Sequence, residues 1–134
     1  TNWESWKARY PKTLVLSDDT GFRRNYGRDP YQGYETSERL MFGVNATNKK
    51  YHPKEKVIGI KSGKISKAYP FSELKKVKSP VKDVLGKTPI RIFYDRKTRT
   101  AVIRDENDRL MPSVVGFWFA WYTFHPETRV FSAE

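Results

Sequence analysis

Phe117-Trp118-Phe119-Ala120-Trp121-Tyr122-Thr123-Phe124 is the stretch on which the fold turns. It is almost wholly apolar, and such a run suits a buried strand and a buried helix equally well. A second stretch separates the two. Moved forward by 115 positions, from Trp3 to Trp118, the N-terminal segment overlays the C-terminal one. Trp6 then falls on Trp121, Pro11 on Pro126, Thr13 on Thr128, Val15 on Val130 and Ser17 on Ser132. Coincidences that include both tryptophan pairs point to duplication. Trp at i and i+3 shares one helical face, so each unit can bury both rings. At the N-terminus, Thr1 and Glu4 stand at capping-box spacing, and Pro11 stops the helix. The comparison predicts helices over Thr1 to Tyr10 and Gly116 to Phe124, followed by strands over Thr13 to Ser17 and Thr128 to Ser132. The echoed helix–strand units, residues 1–17 and 116–132, bracket one full repeat and imply a longer ancestor with another copy upstream.

Between these ends the sequence reads as short strands. Val57 to Ile60 and Ile65 to Tyr69 flank a Ser62-Gly63 hairpin turn. Pro70 breaks the second strand, and Phe71 to Lys76 suits one helical turn. Val81 to Val84 is a short strand, and Gly86-Lys87-Thr88 turns the chain. Ile90 to Tyr94 is the clearest strand, with Ile90, Ile92 and Tyr94 on one face, and Thr100 to Arg104 returns beside it. The expected fold class is therefore α+β: a small β-rich domain of short antiparallel strands, framed by an N-terminal and a C-terminal Trp-containing helix.

With 134 residues, the chain is the size of one domain that can bury a real core. Aliphatics are sparse, but 4 Trp, 8 Tyr and 8 Phe supply large buried areas in their place. The 26 Lys and Arg against 15 Asp and Glu give a net charge of +11, which favours solubility and attracts polyanions. The absence of cysteine removes disulfides, thiol nucleophiles and thiolate metal sites. No apolar run approaches a membrane span. The first residue is Thr1 rather than Met, as expected of a chain trimmed of a leader or taken from inside a longer polypeptide.

Several blocks carry a family resemblance: Trp3 and Trp6 with Tyr10-Pro11, Thr13 to Ser17 with Asp19-Thr20-Gly21, and Tyr26-Gly27-Arg28-Asp29-Pro30-Tyr31 with Gly33-Tyr34. Pro53 to Gly59, Ala68-Tyr69-Pro70, Val81 to Gly86, Ile90 to Asp95 and Phe117 to Val130 continue it. Together they resemble the C-terminal half of the Domain of Unknown Function 3179 family, over nearly the whole chain. The resemblance implies no established reaction. It implies tandem repeats in longer members, export for many of them, and a paired-cysteine motif in the upstream repeat. Lacking cysteine, this chain looks like a short form without that repeat, and no role of that motif carries over.

The residues themselves offer no nucleophile elbow, phosphate loop or dinucleotide fingerprint. Gly59-Ile60-Lys61-Ser62-Gly63-Lys64 lacks Walker spacing, and a hairpin explains it. His52 and His125 are too few to make a zinc site without cysteine, and no metal or cofactor is expected. Asp18, Asp19, Asp29, Asp83 and Asp95 read as structural carboxylates. The best candidate ligand site is the loop from Gly21 to Tyr34. Arg23, Arg24 and Arg28 offer planar donors for carboxylate, sulfate or phosphate, and Tyr26, Tyr31 and Tyr34 offer stacking faces. Asp29 and Tyr69 are added as converging polar groups. The loop is expected to be anchored by Tyr26 and Tyr31, with Arg28 held by an acidic partner or by carbonyls. The lysines from Lys49 to Lys87, Lys54 included, read as solvated edges.

The expected function is a non-catalytic binding or assembly module of an exported or envelope-associated, extracytoplasmic protein. Its partner would be a protein or an anionic ligand. A ligand-binding or enzymatic domain using the Arg/Tyr loop is the alternative. A polyanion or nucleic-acid binder is the third, with nucleic-acid binding expected to be weak and non-specific.

Overall fold

The computed structural model describes residues 2–133. In chain order the elements are α1 (Trp3–Arg9), a 3₁₀ turn (Tyr34–Thr36), β1 (Lys56–Ser62), β2 (Ile65–Pro70) and α2 (Phe71–Leu74). There follow β3 (Val81–Leu85), β4 (Thr88–Asp95), β5 (Thr100–Asp105), β6 (Val114–Phe117), α3 (Trp118–Phe124) and β7 (Arg129–Val130). The fold is α+β, with Trp-containing helices near both ends.

Two sheets carry it: β6-β1-β2-β7, and β3-β4-β5. The β2–β7 pairing is parallel and the others are antiparallel. Val57-Ile58-Gly59-Ile60 is a continuous buried run because the first sheet is covered on both faces. Alternation along β1 sends Ile58 and Ile60 into a core shared with Ile90, Ile92 and Ile103 of the second sheet. It sends Val57 the other way, into a cluster with Ala68, Trp118 and Trp121. The body is thus three layers: α3, the first sheet and the second sheet. Ile90, Ile92 and Tyr94 are buried along β4 and alternate with more exposed positions, which is the signature of a sheet with one wet face.

Local chemistry sets the connections. Gly63 (φ +57°) turns β1 into β2, and Gly86 (φ +66°) turns β3 into β4, conformations that a side chain disfavours. The short helix α2 follows Pro70. The Glu55 carboxylate accepts a hydrogen bond from the Ser72 amide at 2.7 Å, so an otherwise orphaned donor of the first turn is satisfied.

Four expectations change in detail. Thr13 to Ser17 is not a strand: among the described residues it pairs with no strand of either sheet, and a strand without a partner has no ladder to form. Gly116 and Phe117 belong to β6, paired with Val57 and Lys56, so α3 starts at Trp118. The C-terminal strand is only Arg129–Val130, although the Phe131 amide continues the pairing to the Ala68 carbonyl at 2.9 Å. Thr1 of the expected capping box lies outside the described residues; α1 is capped by Asn2, whose Oδ1 accepts from the Ser5 amide at 2.9 Å.

Burial is strongly one-sided along the chain. Among the described residues, the first buried one is Lys54. Everything before it is an arm of exposed and half-buried residues, and α1 buries nothing.

Candidate functional site

The Gly21 to Tyr34 loop is built by its own turns. Asp29 Oδ1 accepts from the Tyr31 amide at 2.8 Å, the side-chain turn that aspartate favours. The Tyr26 hydroxyl meets Thr20 Oγ1 at 2.7 Å. Both Tyr26 and Tyr31 are about half exposed, 50% and 58%, so neither ring anchors the loop. The anchor is Tyr34, whose ring lies 3.9 Å from the Lys54 ammonium. Arg23, Arg24 and Arg28 are exposed. Among the described residues their guanidinium groups have no hydrogen-bond or ion-pair partner, so the expected clamp on Arg28 is absent. Beside Tyr31 and Tyr34 runs an open cleft of roughly 410 Å³, with Pro30, Ser37, Arg39 and Met41 on its walls.

Tyr69 stands apart from this loop. It is fully buried on β2, against Phe131 at 5.7 Å, and its hydroxyl donates to Asp83 Oδ2 at 2.8 Å. The same carboxylate oxygen receives the Lys67 ammonium at 2.6 Å. Burial, reinforced by the Asp83 hydrogen bond, pushes the Tyr69 phenol far above the ordinary tyrosine range. Burial also opposes the charge on Asp83, but the hydrogen bonds from Lys67, Tyr69 and the Val84 amide outweigh it and hold its carboxyl below the usual aspartate value. Tyr69 is therefore a fixed donor and Asp83 a fixed anion, clamping β2 of one sheet to β3 of the other. Groups locked in one charge state suit a structural tie better than proton transfer.

Two buried charges escaped the sequence reading. Lys54, counted there with the solvated lysines, is 5% exposed. Its ammonium donates to the Ser37 carbonyl at 3.0 Å and the Arg39 carbonyl at 2.8 Å, beneath Tyr34 and 5.4 Å from the Phe119 ring. Carbonyls and ring faces together satisfy a cation that has no carboxylate partner among the described residues. Glu73, also buried, receives Lys76 Nζ at 2.8 Å and the Ala133 amide at 3.1 Å. The Lys76 hydrogen bond, against the opposing effect of burial, holds its carboxyl below its usual value. Each ties a remote segment to the body, and such distant partners leave no local signal in sequence.

The paired tryptophans show the sharpest geometry. In the C-terminal unit, Trp118 donates from Nε1 to the Asn48 carbonyl at 2.9 Å, and Trp121 donates to Thr128 Oγ1 at 2.9 Å. Trp121 lies against Gly59, where a Cβ would stand 2.3 Å from an indole carbon. His125 packs on Trp121 with ring centroids 4.1 Å apart; burial, then nearby Lys61, hold it below its usual pKa, so it is a neutral packing ring. In the N-terminal unit, Trp6 Nε1 donates to Thr13 Oγ1 at 3.0 Å, and Tyr10 packs on Trp6 at 4.5 Å. Yet Trp3 is 51% and Trp6 42% exposed, with Leu14, Val15 and Leu16 bare beyond them.

Among the described residues no helix is long and apolar enough to cross a membrane, and no three His, Cys, Asp or Glu side chains are grouped as metal ligands. A family described as "Protein of unknown function (DUF3179)" matches residues 1–128. No curated protein and no solved structure matches the chain.

Proposed function

The chain belongs to the DUF3179 family of proteins of unknown function, and from that premise we propose that it is a non-catalytic assembly module of an exported or envelope-associated protein. The observation that carries this reading is the N-terminal arm. It presents Trp3, Trp6, Leu14, Val15, Leu16 and Phe22 to solvent within one short segment. Apolar side chains gathered in this way are a mark of contact surfaces. Export is supported by the family resemblance alone. The test is a photo-crosslinking residue at Leu16 in the native host, with one at Lys87 on the β3–β4 turn as the control. Discrete crosslinks from Leu16, whether to a second protein or to another segment of the same polypeptide, and none from Lys87 support assembly; identical patterns from both positions overturn it.

A ligand-binding reading of the Arg/Tyr loop is the second proposal. What favours it is the trio of exposed guanidinium groups with no partner among the described residues. Titration with inorganic phosphate and sulfate, followed by tyrosine emission, tests it. Saturation that is lost in Arg28→Ala supports a site at this loop, and a flat titration removes it. Affinity for nucleic acid is expected to be weak and to fall steeply with salt.

A further inference from the structure

Residues 2–17 have the shape of a plug whose socket is missing. The internal contacts that define the C-terminal unit recur in them. The second indole donates to a threonine hydroxyl in both, Trp6 to Thr13 and Trp121 to Thr128. The helix closes through the amide of the residue four positions on, Tyr10 to Trp6 and His125 to Trp121. The closing residues share one backbone conformation, φ −129° and ψ 71° at Tyr10 against φ −137° and ψ 65° at His125. An aromatic ring covers the second indole in each, and the threonine amide then bonds the carbonyl of that same residue.

What differs is what lies beneath. Trp118 and Trp121 are 1% and 8% exposed on the β1–β2 face, over Gly59. Arg129–Val130 runs parallel to Lys67–Ala68, Val130 packs into the Val57–Ala68 cluster, and Phe131 packs against the core between the sheets. Their counterparts Val15 and Leu16 are 70% and 97% exposed. The N-terminal unit keeps these internal contacts without burying its tryptophans or Val15 and Leu16; α1 only borders an open cleft, where Ser5 and Arg9 face Phe93 and Val102 of the second sheet.

We propose that residues 2–17 dock onto a second sheet of the β1–β2 build, carried by a neighbouring repeat of this domain in the same polypeptide. Trp6 covers the glycine of that sheet, and Thr13 to Ser17 adds to its second strand in parallel. This rests on the assembly reading and names the partner. A second copy of the chain is the poorer occupant, because its own sheet is already covered by α3 and β7. Connectivity points the same way: α3–β7 covers the sheet that precedes it in sequence, and the equivalent sheet for residues 2–17 is one carried ahead of them. The docking site needs no induced shape, since the helix, its cap and the indole–threonine bond are already in place, and preorganisation lowers the entropic cost of association.

The experiment supplies the socket. Residues 18–116 are placed directly ahead of residues 2–134, which sets Trp3 and Trp6 where Trp118 and Trp121 stand relative to their own sheet. The added segment contains no tryptophan, so four indoles report in both chains. Acrylamide quenching is expected to show two accessible tryptophans in the original chain and none in the extended one. Amide exchange at Val15 and Leu16 is expected to slow by at least about 100-fold in the extended chain, as for a strand that opens only with its sheet. Replacing the added copy's glycine by leucine (Gly59→Leu in that copy only) should restore both to their original values. Indoles that stay accessible beside an added β1–β2 hairpin whose amides are protected would overturn the proposal. So would dimerisation of the unextended chain that Trp6→Ala abolishes, because the occupant is then a second copy. Should the added segment not fold, a chimera decides: residues 2–17 installed in place of residues 117–132. A cooperative fold with a buried tryptophan pair supports the proposal, and a chimera unfolded under conditions where the original chain is folded overturns it. Failure of these tests with persistent Leu16 crosslinks leaves the assembly reading standing; loss of the crosslinks removes that reading itself.

Discussion

The two ends of the molecule carry the same local chemistry and opposite burial. Around Trp118 and Trp121 the helix rests on a sheet, a strand follows into that sheet, and both indoles are dark to solvent. Around Trp3 and Trp6 the helix, cap and indole–threonine bond are all present, and the rings face water. The comparison separates what a short sequence can do by itself from what it does only against a partner. A helix with a good N-cap and a proline stop forms locally. A strand of the same pattern does not, because its hydrogen bonds have to be made to another chain segment. Thr13 to Ser17 and Thr128 to Ser132 resemble each other in sequence and differ in structure for that reason.

The largest expected effect tests the asymmetry directly. Trp118→Ala removes a fully buried ring and orphans the Asn48 carbonyl, and should cost about 3–5 kcal/mol, the range for a large aromatic truncated in a core. Trp3→Ala, its counterpart, should lie within about 0.5 kcal/mol of the parent, as surface changes do. Urea midpoints at constant slope measure both. A Trp3→Ala loss comparable to that of Trp118→Ala would break the comparison, since α1 would then be seated on the body.

A smaller effect sharpens it. In Gly59→Ala the new methyl would stand 2.3–2.5 Å from three indole carbons of Trp121, so the ring or the helix has to lift. Overpacking of this kind costs about 1–3 kcal/mol. In a Trp121→Ala background the obstruction is gone, and the Gly59→Ala penalty should largely disappear, a coupling that a double-mutant cycle reads. Strict additivity would mean that Gly59 serves the strand and not the seat of the indole.

Gly59 also shows where the sequence stopped being readable. Strands β1, β2, β4 and β5 were legible because apolar runs, alternation and turn residues such as Gly63 and Gly86 are local signals. Gly59 itself read as part of a hairpin, since the reason for its missing side chain is a ring 62 positions later. Lys54 was placed with solvated lysines for a similar reason. Its cage is made of Ser37 and Arg39 carbonyls with the rings of Tyr34 and Phe119, and no spacing rule joins those positions. The candidate site was legible only as a composition: the arginines and tyrosines are displayed, but Tyr34 rather than Tyr26 or Tyr31 holds the loop, and Tyr69 belongs to the inter-sheet clamp. The helix pair was legible because an internal echo supplied a second measurement of the same pattern.

The smallest expected effect concerns Arg28, and it separates the arm from the body once more. A guanidinium that holds a loop in place does so through a planar set of donors that lysine cannot copy, and Arg→Lys at such a position is costly. Arg28 is exposed and its guanidinium has no partner among the described residues, so nothing in the folded chain distinguishes the two cations there. Arg28→Lys should therefore leave the urea midpoint unchanged within about 0.5 kcal/mol. Lys54→Met is the contrasting substitution on the body. It keeps roughly the length of a side chain that is buried but leaves two part-buried carbonyls without their donor, at about 1–3 kcal/mol for the unsatisfied groups. An Arg28→Lys loss as large as that of Lys54→Met would mean that the arm is fastened through Arg28 and that its exposure is not its working state. An unchanged midpoint together with loss of phosphate binding would instead assign Arg28 to a ligand, a use of the guanidinium that costs the fold nothing.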